Sequence, residues 1–195
     1  MSPKSLAGRA APAALLTLAL LTLDAAVTRD VLAAEGTSDS ATARLALAGH
    51  RYAVARAIRG ASDQLADARC QELLDEFADA TGRPLRSVLA AHGLAVSDYM
   101  RQVFFYDAPE WACRGANLAV TKPGNRAIFV CGARFQREMS KNSRNAEAIV
   151  IHEVLHSLGL GENPPSSDHI SARVRALCGK GGDRLSAESP ARARP

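Results

Sequence analysis

The chain has 195 residues, which is enough for one domain behind a processed leader, and we expect no second catalytic domain. Hydrophobic residues make up 47% of the chain and charged residues 23%, a balance typical of a globular protein. Aromatic residues are scarce at 5%, and the net charge of +4 comes from scattered basic residues, so the composition argues against a nucleic-acid-binding protein.

The N-terminus has the pattern of a secretory signal peptide. Lys4 and Arg9 precede an uncharged stretch rich in Leu and Ala over residues 10–23, and small residues follow it. This stretch is shorter than the ~20 residues that a membrane-spanning helix needs. We therefore predict a signal peptide over residues 1–34, export to the periplasm or the medium, and no stable membrane insertion after cleavage.

The rest of the chain divides into three parts. Residues 35–44 are small and polar, and we predict that they form a flexible segment leading into the domain. The domain itself is expected over residues 45–178. Residues 179–195 are rich in Gly, Arg and Pro and lack an apolar period, which predicts a disordered tail.

Helical spacing of apolar residues marks the first half of the domain. A helix over residues 62–80, capped by Ser62, is predicted from apolar positions three and four apart. Shorter helices are predicted over residues 85–91 and 97–105, because Gly93 separates two further apolar runs.

The pattern then changes to that of a β-hairpin. Two runs suited to strands, residues 116–121 and 127–135, flank a turn that contains Pro123 and Gly124. Trp111, just ahead of the first run, is expected in the core. We therefore predict a small antiparallel sheet.

Four cysteines lie beyond the leader, and an even number in an exported chain indicates two disulfide bonds. Three pairings are possible in principle. We favour Cys113–Cys131, because the hairpin turn lies between these residues. Cys70 and Cys178 would then join two helices.

Two helices are predicted after the hairpin. Asn145 is a suitable N-cap for the first, Glu147 complements the helix dipole in its first turn, and a wide apolar surface follows up to Gly159. The second is predicted to begin near Ser167 and to carry Cys178 on its apolar face.

The first of these helices contains a pattern with direct chemical meaning. His152 and His156 are four residues apart, so both imidazoles project from one helix face and can bind one metal ion. Glu153 points sideways from that face, where its carboxylate can take a proton from a water molecule that zinc activates. The pattern predicts a zinc site with Glu153 as the general base.

The segment from His152 to Glu162 resembles the extended signature of the metzincin clan of zincin metallopeptidases. In that clan a glycine bends the chain after the helix, and a residue six beyond the second histidine is the third ligand. The clan usually has histidine there, whereas small secreted proteases of the snapalysin type use an acidic residue. The resemblance implies that His152, His156 and Glu162 bind zinc and that Glu153 is the general base.

Other residues compete for the place of the third ligand. Gly159 and Gly161 make the bend towards Glu162 feasible, since glycine adopts backbone angles that other residues avoid. His169 is the alternative third ligand, because imidazole is a good zinc ligand and the chain after Glu162 can turn back towards the site. Asp168 is a further candidate.

These observations predict an α+β fold, a zincin-like domain in which a small antiparallel sheet packs on helices. The expected function is that of an exported zinc peptidase that hydrolyses peptide bonds through a zinc-activated water. By resemblance, the strand over residues 127–135 would be an edge strand that aligns an extended peptide or protein substrate. The alternatives are a zinc amidase or cell-wall hydrolase, and a non-catalytic, disulfide-stabilised metal-binding protein.

Overall fold

A computed structural model describes residues 44–47 and 49–179 of the chain. The order of its elements is β1 Arg44–Ala46, α1 Arg51–Leu65, α2 Ala68–Gln71, α3 Leu73–Glu76, α4 Leu85–Ala91, α5 Val96–Met100, β2 Phe104–Asp107, β3 Ala119–Thr121, β4 Ala127–Val130, α6 Gly132–Lys141, α7 Ser143–Ser157 and α8 Ser167–Cys178. A short 3₁₀ helix, Glu110–Cys113, precedes β3. The predicted α+β class is confirmed.

The four strands form a mixed sheet in the order β1-β2-β4-β3. β1 pairs with β2 and β2 with β4 in parallel, whereas β3 and β4 form the antiparallel hairpin expected from the sequence. The prediction of a purely antiparallel sheet is therefore wrong. It is also wrong that the strand over residues 127–135 lies at an edge, because β4 is paired on both sides, with β2 and with β3, and β3 is the edge strand next to it. The chain after Val130 turns into α6 instead of continuing the strand.

α7 occupies the centre of the helical layer. It contacts α1, α6 and α8, and it also packs on β3. Every residue from Val150 to Ser157 is buried, so the wide apolar surface expected of this helix is present. α1 packs close at Gly60, where a β-carbon would lie 2.5 Å from the carboxylate of Glu147. The Gln64 side chain donates a hydrogen bond to the same carboxylate.

The helices before the sheet differ in part from the prediction. α1 ends at Leu65, so Ser62 lies inside a helix and does not cap one. The chain that follows forms two short helices, α2 and α3, because Asp67 caps a new start by accepting a hydrogen bond from the Arg69 amide. α4 lies where it was predicted, whereas α5 ends at Met100 and leaves Phe104 to begin β2.

Both predicted disulfide bonds are confirmed. Cys70–Cys178 joins α2 to the last residue of α8, with 4.5 Å between the α-carbons. Cys113–Cys131 joins the 3₁₀ helix to the start of α6, with 5.5 Å between the α-carbons. Two disulfide bonds are compatible with a protein that folds in an oxidising compartment. Among residues 44–47 and 49–179, no helix combines the length and hydrophobicity needed to cross a bilayer.

The predicted signal peptide, residues 1–34, lies outside the described residues, as does nearly all of the lead-in and the tail. Trp111 is 69% exposed, so its predicted place in the core is wrong. Trp111 lies in the 3₁₀ helix, and the buried residue of that helix is its neighbour Ala112. The face that carries Ala112 points into the protein, and the indole of Trp111 points towards solvent.

Candidate metal centre

The two histidines of the motif lie one turn apart near the C-terminal end of α7. Their side chains are buried, with 5% of His152 and 4% of His156 exposed, and their Nε2 atoms are 3.0 Å apart. α7 begins at Ser143, because the Asn142 side chain accepts a hydrogen bond from the Asn145 amide. Asn142 and not Asn145 is therefore the N-cap, and the helix begins three residues closer to the N-terminus than predicted.

A backbone carbonyl orients His156. Its Nδ1 atom lies 2.7 Å from the Leu160 carbonyl oxygen, and a carbonyl can only accept a hydrogen bond. Nδ1 must therefore carry the proton, which leaves Nε2 with a free lone pair. This is the outer contact that metal-binding histidines ordinarily make, and it fixes both the tautomer and the ring orientation.

At His152, the position that the Leu160 carbonyl occupies at His156 is taken by the side chain of Ser171. The Nδ1 atom of His152 is 3.0 Å from the Ser171 hydroxyl of α8. Burial, together with the charge of His156, lowers the pKa of His152 to about 4, so this imidazole is neutral at pH 7. A hydroxyl can accept from Nδ1–H, and in that arrangement both Nε2 lone pairs face the same point.

Glu162 reaches the same point from the loop after α7. Its Oε1 atom lies 3.7 Å from His156 Nε2 and 4.0 Å from His152 Nε2, and its side chain is 44% exposed. The bend begins at Gly159, which has φ 110°, and Leu160 then forms a β-bridge with Asp79. The predicted bend at Gly159 is therefore present.

The donor set fits a small divalent cation. The three candidate ligand atoms of His152, His156 and Glu162 lie within 4.8 Å of one another, and the group could hold a metal ion. Two ligands at ~2.05 Å from a tetrahedral zinc ion lie about 3.3 Å apart, close to the 3.0 Å between the Nε2 atoms. Without a metal ion, a proton on one Nε2 can form a hydrogen bond to the other at this distance, and a bound cation would take the place of that proton.

The structure places the rival ligands elsewhere. His169 is exposed in the first turn of α8, and its ring packs edge-on against Phe77 with 6.1 Å between the ring centres. Asp168 is exposed beside it. Within the part of the chain that the structure describes, neither joins the group formed by the two histidines and Glu162.

Glu153 lies buried next to the histidine pair, with 6% of the residue exposed. Burial raises the pKa of its carboxyl group to about 7, and the nearby Thr121 hydroxyl of β3 opposes that rise. The Thr121 contact lacks hydrogen-bond geometry, however. Glu153 Oε2 and Thr121 Oγ1 are both buried without a hydrogen-bond partner among the described residues. A buried carboxylate oxygen without a partner is free to bond with water or substrate.

Tyr99 of α5 contacts the C-terminal end of α7. Its hydroxyl donates to the Ser157 carbonyl at 2.8 Å and so satisfies the C-terminal end of α7.

Three contacts of the site were not foreseen from the sequence. The Leu160 carbonyl could not have been, because a backbone group leaves no trace in the residue type. Ser171 left a weak signal, since it lies three and seven residues before Val174 and Cys178, on the buried stripe of α8. Thr121 ends a predicted strand, but nothing in its local sequence links it to Glu153.

Comparison with known proteins adds no relative: no family model, no curated protein and no solved structure matches this chain.

Proposed function

We propose that this protein is an exported zinc-dependent peptidase in which His152, His156 and Glu162 hold the metal ion. One observation carries the proposal. Two buried imidazoles and a carboxylate lie close enough together to hold one metal ion, and Glu153, which has one carboxylate oxygen without a partner, is near enough to Glu162 for that charge to raise its pKa. Imidazole nitrogen with one carboxylate oxygen is a ligand set typical of catalytic zinc, which keeps a further position open.

Zinc in this position would supply Lewis acidity, which polarises a substrate carbonyl and makes water more acidic. Glu153 would then do the proton transfer. Its carboxylate accepts the proton of the attacking water and afterwards passes it to the leaving amine, so that the same residue acts as base and as acid. Burial raises the pKa of the Glu153 carboxyl group, whereas the positive charge of a bound zinc ion would lower it and so favour the ionised form that acts as the base.

The edge of the sheet supports a peptide as the substrate. β3 lies at the edge, packs on α7, and ends at Thr121 beside Glu153. The free edge of a strand can pair with an extended peptide through main-chain hydrogen bonds. We expect a substrate strand along β3 to bring a scissile bond towards Glu153. β3 takes the role that the sequence had assigned to the strand over residues 127–135.

The test is the Glu153→Gln variant. It should lose hydrolysis of an unstructured protein such as casein while it still binds zinc, because the amide cannot accept the proton and Glu153 is not a ligand. Glu147→Gln on the same helix is the matched control and should retain activity. Loss of zinc together with activity would overturn the assignment of Glu153 as the base.

The rival functions give different results in the same assay. A zinc-loaded wild-type protein that cleaves no protein but releases fragments from peptidoglycan would instead be an amidase or cell-wall hydrolase. Zinc binding without turnover on either substrate would favour a metal-binding protein without catalysis.

A further inference from the structure

α8 lies against the metal-binding helix and carries a serine that the zinc motif does not include. Its buried residues Ile170, Val174, Leu177 and Cys178 pack into the core, and α8 contacts α7 along this face. Ser171 is half-buried at the margin of the same face. Its hydroxyl lies 3.0 Å from Nδ1 of His152, nineteen residues earlier in the chain.

The protons of the histidine pair give this contact a direction. Nε2 of His152 must be unprotonated to bind a metal ion, so the proton of the neutral ring then lies on Nδ1. The ring is buried, and its Nδ1–H therefore needs an acceptor within the protein. The Ser171 hydroxyl is the acceptor that lies in place. Without this acceptor, the tautomer with the proton on Nε2 would be favoured, and a proton on Nε2 blocks metal binding.

α8 is fastened to the rest of the helical layer at two points. The Cys70–Cys178 disulfide fixes its last residue. The second attachment is an ion pair between Arg173 of α8 and Glu76 of α3. Two guanidinium nitrogens of Arg173 donate hydrogen bonds to the two carboxylate oxygens of Glu76, each at 2.7 Å. The attachments to α2 and α3, together with the packing of α8 on α7, therefore set the position of the serine hydroxyl.

We propose that Ser171 is a positioning residue that accepts the Nδ1–H of His152 and so holds the imidazole in the tautomer and orientation that bind the metal ion. The inference rests on the metal binding in the proposed function but not on the peptidase activity. It adds to the site a residue from α8, a helix outside the zinc motif.

A purely structural role of Ser171 and an orienting role predict different effects of the Ser171→Ala change on stability and on zinc affinity. Alanine has a higher helix propensity than serine. Ser171→Ala should therefore leave the thermal stability of the metal-free protein unchanged or slightly raised. If the hydroxyl orients His152, the same change should weaken zinc binding by about 10- to 100-fold, the cost typical of losing an outer partner of a metal-binding histidine.

The zinc affinity of the purified, metal-free protein is measured by chelator competition. The melting temperature of each variant is measured in parallel. Ser171→Thr keeps a hydroxyl and should restore affinity to within a few-fold of wild type. Ser167→Ala, at the exposed start of α8, is the matched control and should bind as wild type does. The visible absorption of the Co²⁺-substituted protein should change in Ser171→Ala, because the ring orientation is loosened.

Three results would overturn the inference. The first is a Ser171→Ala variant that binds zinc as tightly as the wild type and has an unchanged Co²⁺ spectrum. The second is a loss of affinity only in proportion to a fall in melting temperature, which Ser171→Thr does not restore. Finally, a wild-type protein that binds no zinc would overturn the proposed function as well, so the two failures are distinguishable.

Discussion

The two sides of the metal centre are built in different ways. On one side, the turn after α7 orients His156 through the Leu160 carbonyl, so the backbone supplies the hydrogen bond. On the other side, α8 presents the Ser171 hydroxyl to His152. The orientation of His156 therefore depends on the shape of a turn, whereas the orientation of His152 depends on one side chain, Ser171, and on the attachments that hold α8 in place.

Removing the Cys70–Cys178 disulfide bond, which holds the end of α8, should have the largest effect on the free energy of unfolding. The Cys70–Cys178 bond spans 108 residues and the Cys113–Cys131 bond spans 18. In the chain-entropy description, loops of about these sizes correspond to about 4.7 and about 3 kcal/mol of stabilisation. Replacing both Cys70 and Cys178 by serine should therefore lower the free energy of unfolding more, as measured in urea. It should also weaken zinc binding by the molecules that remain folded.

The matched variant replaces Cys113 and Cys131 by serine. It should lose stability and keep its zinc affinity, since that bond joins the 3₁₀ helix to α6 and does not hold either side of the site. Equal zinc affinities for the two double variants, measured under conditions in which both are folded, would contradict the dependence of His152 on α8.

Replacing Glu162, the proposed third ligand, should have the next largest effect. Glu162→Ala should weaken zinc binding by well over 100-fold, or about 2.7 kcal/mol, because a direct ligand is worth more than an outer partner. His169→Ala should change the affinity little, since its ring packs on Phe77. Chelator competition separates the two. Release of zinc from the His169 variant and not from the Glu162 variant would exclude Glu162 as the ligand.

The turn that orients His156 can be disturbed at Gly159. This residue has φ 110°, and an added β-carbon would lie 3.0 Å from the β-carbon of Asp79. Gly159→Ala should destabilise the protein by roughly 1–3 kcal/mol and weaken zinc binding, because the strain displaces the adjacent Leu160 carbonyl. Urea unfolding and zinc titration measure the two effects.

Gly161→Ala is the control for that variant. A β-carbon there meets no atom within 4 Å, and its backbone lies outside the left-handed region. It should be close to neutral. If Gly161→Ala is as damaging as Gly159→Ala, the turn does not act through the Leu160 carbonyl.

The sequence predicted the features that depend on local spacing. The histidines on one helix face, the hairpin and the start of α8 at Ser167 follow from periodicity and turn residues. The fold added what depends on distant contacts. The parallel pairings of β1 with β2 and of β2 with β4 join segments far apart in the chain, and no local pattern encodes them.

Two helices, α1 and α6, were missed by the sequence analysis, and the signal for α1 is present in the sequence. α1 carries buried residues at Val54, Ala57, Ile58, Ala61 and Leu65, which recur at helical spacing. The outer partners of the site were missed for a different reason. Ser171 meets His152 only because α8 packs on α7, and the Leu160 carbonyl has no signature in the sequence.

The smallest expected effect concerns the second attachment of α8. Hydrogen bonds from Arg173 lower the pKa of Glu76 below its ordinary value of 4.5. The ion pair therefore stabilises the fold fully above that value, and its contribution is lost as the pH falls through the lowered pKa. Glu76→Gln should reduce the free energy of unfolding by less than about 1 kcal/mol at pH 7, because the pair is partly exposed.

The pH dependence gives that variant its internal control. In urea unfolding, the difference between wild type and Glu76→Gln should shrink below pH 4.5 and vanish in stronger acid. A difference that stays constant from pH 7 down to strong acid would mean that the charge of Glu76 contributes nothing.

Elemental analysis of the purified protein tests whether His152, His156 and Glu162 form a metal site. We expect about one zinc ion per chain, retained after mild dialysis, and none in the variant with both His152 and His156 replaced by alanine. A wild-type protein that contains no zinc and takes up none when zinc is added would show that these residues do not form a zinc site.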